Sequence, residues 1–178
     1  MGRFDKMPKL LTPTELSTQL RTDSSADMIR RRWTIGLSIA GTAIGAIVTA
    51  YQTGLIKHLP DILPGKVFDA EQVDASDYAY AHLQMPDAPQ MMLTYSITAA
   101  LASAGGTNRA QENPALPIAT AGKAAFDLVT CLVLAREEWR TNHKLCSWCQ
   151  IATAISAVSV VLTLPEALRA AGADRKGP

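Results

Sequence analysis

Cys146 and Cys149 bracket Ser147 and Trp148, and this C-x-x-C pair is the part of the chain best suited to chemistry. Such a pair supports thiol–disulfide exchange, a structural disulfide or metal ligation. Spacing of three puts both sulfurs on one face of a helix, and an uncharged run begins at Leu145, which places the pair at a helix mouth. A helix N-terminus favours a thiolate, so one of the two thiols is expected to have a lowered pKa, with His143 and Lys144 adding positive charge. Exchange is the reading carried forward. A structural disulfide stays open, as do two unrelated packing cysteines. A zinc site of His143, Cys146 and Cys149 would lack a second C-x-x-C. Cys131 lies inside another apolar run and reads as a small core residue. Three cysteines are too few for a disulfide scaffold.

The pair needs a frame, and the charge pattern supplies one. The 178 residues suit one domain, and a net charge of +1 gives no bulk case for nucleic-acid binding. A mean hydropathy of +0.07 hides strong segregation of the charges. Residues 33–56 carry no charge, and at 1.5 Å per residue they span about 36 Å, enough to cross a bilayer. Within them, Gly41-x-x-x-Gly45 would let a second helix approach closely. Residues 89–104 form a short second span that ends before Gly105-Gly106. Residues 115–135 form a third, and residues 145–164 a fourth, closed by Pro165. The expected fold is therefore an all-α integral membrane protein, a four-transmembrane-helix bundle.

Flanking segments complete the plan. Residues 1–29 form a polar, basic segment with a short amphipathic helix, started by the capping box of Thr12, Pro13 and Glu15. Residues 30–168 are the membrane domain and residues 169–178 a tail. Residues 57–87 form a long loop between the first two spans with six acidic residues and a short helix around 68–82. Asp69, Glu71, Asp74 and Asp77 read as a solvated acidic surface, and His58 and His82 as exposed loop residues. Lys123 and Asp127, four apart inside the third span, are costly facing lipid. They are expected to pair and face the interior, as a packing device or as contacts to a bound quinone or a proton route.

Lysine and arginine placement sets the orientation. With four spans, eleven of these residues fall on the side of the termini and five on the side of the long loop. That puts both termini in the cytoplasm of a plasma (inner) membrane protein. The loop and the C-x-x-C then face the extracytoplasmic side, where disulfides persist.

Four spans, a long outward loop after the first and a C-x-x-C opening the fourth together resemble the bacterial vitamin K epoxide reductase family. The resemblance covers residues 30–167. It is carried by Trp139 ahead of Leu145-Cys146-Ser147-Trp148-Cys149 and by the loop string Val73-Asp74-Ala75-Ser76. It implies a thiol–disulfide oxidoreductase with Cys146 and Cys149 as catalytic residues. A quinone (menaquinone or ubiquinone) in the bundle would accept electrons, and an extracytoplasmic thioredoxin-like protein would supply them. Cys149, deeper in the helix, would be the quinone-proximal thiol, and Cys146 the exchange thiol. The chain departs from the family pattern in its loop, which holds no cysteine and has Ala70 where the family places one. The family's tyrosine after the C-x-x-C is replaced by Thr153. A non-catalytic membrane subunit or scaffold with the cysteines as a structural disulfide is the competing reading.

Overall fold

A computed structural model describes residues 11–81 and 84–174, so the first ten residues, His82 and the end of the tail lie outside the described residues. Thr12 starts α1 (Pro13–Thr22) with the expected capping box: its N–H donates to the Glu15 carboxylate at 2.9 Å, and Glu15 N–H donates to Thr12 Oγ1 at 3.3 Å. Ser25 caps α2 (Ala26–Gln52) by accepting Met28 N–H, so this helix starts before the uncharged run and carries Arg30, Arg31 and Arg32 on its first turns. The connecting segment holds α3 (Ala70–Asp74) and a 3-10 turn (Asp77–Tyr80), two short pieces in place of one short helix. Next come α4 (Ala88–Ser103), the single turn α5 (Arg109–Glu112), α6 (Ala115–Asn142) and α7 (Ser147–Asp174).

α2, α6 and α7 are each long and apolar enough to cross a membrane. Their outward faces are apolar too: Phe126 is 64% exposed and Val161 70% exposed, which suits lipid better than water. α4 has 16 residues and spans about 24 Å, short of a hydrocarbon core of about 30 Å.

Two helices run beyond their expected ends. α6 continues past residue 135 to Asn142, because Arg136, Glu137 and Glu138 are good helix formers as well as charges. α7 continues through Pro165 to Asp174. Proline costs the turn one hydrogen bond, but Glu166-Ala167-Leu168 favour helix, and the buried Glu166 is tied to Arg109 by two hydrogen bonds of 2.8 Å.

Small residues and two arginines fix α4 against α2. A Cβ on Gly41 would lie 2.7–2.8 Å from the ring of Tyr95, and one on Gly45 would meet Met92 Cγ at 2.8 Å. The glycine pair therefore admits α4, as its spacing implies. α4 has no basic residue in its last turn, so its terminal carbonyls need donors from elsewhere. Arg31 supplies them to Ala102, Ala104, Gly105 and Gly106, and Arg109 to Leu101 and Ala104, at 2.8–3.0 Å. Gly41→Leu is expected to cost about 1–3 kcal/mol through overpacking. Gly36→Ala, with nothing within 4 Å of the new Cβ, is expected to be neutral or mildly stabilising. Thermal stability in detergent checks both, and equal losses at the two positions would contradict the packing argument.

Candidate redox site

The site is built on the reversal between α6 and α7. His143 takes a left-handed conformation (φ 53°, ψ 25°) and its N–H donates to Trp139 O at 3.0 Å, which ends α6. The chain then turns back within three residues, bringing the start of α7 under Glu138. Cys146 sits at the N-cap of α7: its carbonyl accepts from Gln150 N–H at 3.0 Å, and its sulfur accepts from Cys149 N–H at 3.3 Å. The thiol thus takes the place of the usual capping oxygen. Glu138 Oε2 accepts Cys146 N–H at 3.2 Å. Asp61 accepts Ser147 N–H at 3.4 Å through one oxygen and Ala70 N–H at 3.1 Å through the other, joining α3 to α7.

Residues 57–69 lie over the pair as a strap. Leu145 N–H donates to Val67 O at 3.0 Å, and Asp69 N–H donates to Leu145 O at 3.1 Å. Ile62 N–H donates to Ser147 Oγ at 3.1 Å and Trp148 Nε1 to Pro60 O at 3.0 Å. Beneath the strap, Cys146 is 0% exposed and shares an apolar cluster with Val48, Leu59, Ala70, Val73 and Ala88. Cys146 is therefore closed off from solvent. The three cysteines are free thiols.

Two sequence expectations are corrected here. Lys144 donates to Lys66 O and His143 meets Trp139 edge-on, so both side chains are engaged away from the thiols, and the zinc set loses its histidine. The pKa of Cys146 is not lowered. A hydrogen bond with Cys149 favours its thiolate, but burial and the Asp74 charge outweigh that bond and raise it. The helix N-terminus is outweighed because the strap removes water from the sulfur.

Cys149 is placed differently. It lines a cavity of about 660 Å³ between α4, α6 and α7, whose walls are mostly apolar. Lys123 and Asp127 line the same cavity. They pair at 2.5 Å, as their spacing implies, and both bind Thr94: its hydroxyl donates to Asp127 at 2.6 Å and accepts from Lys123 at 2.6 Å. Asp127 also accepts from Thr98 at 3.0 Å, which leaves a satisfied polar cluster in an apolar wall.

Several residues of the site are not evident from sequence. Cys131 faces this cavity too, with its sulfur 3.7 Å from Ser156 Oγ, and is not simply core. Tyr95 enters from α4 and donates to Ala152 O at 2.6 Å, so the cavity has a tyrosine although Thr153 stands four residues after Cys149. Glu138 lies on the part of α6 beyond the expected third span. Asp74 is buried, unlike the exposed His58–Glu71 pair and the α3-capping Asp69.

Residues 32–164 match the family model of the Vitamin K epoxide reductase family. No curated protein and no solved structure matches the chain. The family match spans most of the chain, and three apolar helices are long enough to cross a bilayer, which makes this a multi-pass membrane protein. With a C-x-x-C at the mouth of its last long helix and a bundle cavity beside it, the chain belongs to the vitamin K epoxide reductase family, whose chemistry is that of membrane thiol–disulfide oxidoreductases.

Proposed function

We propose that the protein passes electrons from an extracytoplasmic dithiol protein of thioredoxin type, through Cys146 and Cys149, to a membrane quinone held between α4, α6 and α7. The observation that carries this reading is Cys149 on the wall of an apolar cavity, with Cys146 sealed behind it. An apolar wall with few polar groups suits a quinone ring and tail, and Lys123, held by Asp127 and Thr94, offers an ammonium donor for one quinone carbonyl. In this reading α4 is the second of four spans, the termini are cytoplasmic and the strap faces outward, following the distribution of Lys and Arg. The loop holds no cysteine, so the partner's thiol meets the C-x-x-C directly after the strap opens.

The burial of Cys146 and the lack of loop cysteines favour a second reading, a non-catalytic subunit or scaffold stapled by a disulfide. One experiment separates them. Reduced protein mixed without oxygen with a short-chain quinone is expected to lose two thiols for each quinol formed, with a Cys146–Cys149 disulfide found by mass spectrometry. Thiols that persist with excess quinone favour the scaffold.

A further inference from the structure

We propose that Asp74 accepts the Cys146 proton when the two sulfurs join. The inference rests on the pair being redox active, as read above. Asp74 ends α3 under the strap, and its carboxylate oxygen and the sulfurs of Cys146 and Cys149 all lie within 4.8 Å of one another. The Cys146 thiol therefore lies beside this carboxylate. Asp74 is 2% exposed, and its Oδ2 has no hydrogen-bond partner among the described residues. A buried orphan oxygen is costly in a fold and calls for a reason. Glu138, on the other side of the pair, is already engaged by Cys146 N–H and Gln150 Nε2.

The surroundings suit proton exchange. The titratable groups acting with Asp74 are Asp61 on the strap, Asp87 before α4, Glu138 on α6, Tyr51 on α2, Tyr80 on the 3-10 turn and the two thiols; no lysine or arginine is among them. Burial first, then the charges of Asp87 and Asp61, push Asp74 up to about 7 against the opposing pull of the nearby Cys146 thiol. A carboxyl titrating near neutrality gains and returns a proton readily. Cys146, raised by burial, holds no preformed thiolate, so its proton must leave as the S–S bond forms. In the balanced step, two electrons and the Cys149 proton go to the quinone, and the Cys146 proton goes to Asp74. The quinol takes its second proton from water, and Asp74 later returns its own to water. The net change is dithiol plus quinone to disulfide plus quinol.

The test needs no quinone. Diamide oxidises dithiols to disulfides, and formation of the Cys146–Cys149 bond is followed by mass spectrometry from pH 5 to 10. The wild type is expected to gain rate through an inflection near pH 7, where Asp74 becomes a carboxylate. Asp74→Asn is expected to lose that inflection and to be slower on the order of 100-fold at pH 8, whereas Asp74→Glu keeps an inflection. A carboxylate that only repelled the thiolate predicts the opposite sign, because Asn would lower the thiol pKa and speed oxidation. A faster or unchanged Asp74→Asn overturns the proposal, as does a wild-type profile with no inflection near pH 7 should Asp74→Asn fail to fold. Asp74-dependent diamide oxidation without quinone turnover keeps Asp74 in its role and sinks the quinone reading alone.

Discussion

Cys149→Ala is expected to abolish quinone reduction by the purified protein supplied with a dithiol donor, a loss of about 1000-fold or more. The size follows from where the two sulfurs sit. Cys149 lines the cavity, whereas Cys146 has no exposure and lies behind it, under the strap. Without Cys149, the cavity keeps Cys131, which lies outside the C-x-x-C and has no neighbouring thiol at that spacing. The fold should tolerate the change, because the bonds that Cys149 makes to Cys146 Sγ and Thr153 Oγ1 come from its backbone. Cys146→Ala is expected to be equally inactive in turnover but different in a single encounter. Its Cys149 still faces the cavity and is expected to be alkylated there by a quinone-like electrophile, read by mass spectrometry apart from Cys131, while Cys146 in Cys149→Ala stays unmodified. Turnover above about a tenth of wild type in Cys149→Ala would remove the C-x-x-C from the reaction, and equal alkylation of Cys149 in one variant and Cys146 in the other would remove the assigned order of the sulfurs.

This asymmetry was only half legible in the sequence. Helix period and absence of charge find α2, α4 and α7, and the Gly41–Gly45 spacing finds the close approach of α4. Spacing also finds the Lys123–Asp127 pair, since residues four apart share a face. What spacing cannot report is which loop residues become covered. Asp74 looks like Asp69 and Asp77 in a row of acids, yet Asp74 is buried beside Cys146 and Cys149 while Asp77 is exposed. The strap is held by backbone bonds of Val67 and Asp69 to Leu145 and by the Trp148 indole on Pro60 O, and these pairings depend on tertiary contact that local spacing does not show. The same holds for Glu138, which is brought onto Cys146 only by the His143 turn. Arg31 and Arg109 counted toward orientation as free positive charges, but both are buried and spent on the carbonyls that end α4.

The largest expected loss of stability follows from that last arrangement. Arg109→Met is expected to destabilise the protein by about 3–5 kcal/mol, because it strands Glu166 without its cation in a nearly closed site. The side chains of Arg109 and Glu166 are 2% and 5% exposed, and their two parallel 2.8 Å bonds have the forked geometry of a guanidinium on a carboxylate. Lysine at 109 should not restore it, since one ammonium cannot serve both carboxylate oxygens and the carbonyls of Leu101 and Ala104 together. Arg109→Met with Glu166→Leu should recover most of the loss, since no buried charge is then left alone. Unfolding in mixed detergent of the wild type, Arg109→Met, Glu166→Leu and the double variant measures the pair as a cycle. A single-variant loss below about 1 kcal/mol, or a double variant no better than the single, would mean that water reaches Glu166 and screens it. The folded fraction of each variant should still reduce quinone, because this pair closes the end of the bundle opposite the C-x-x-C.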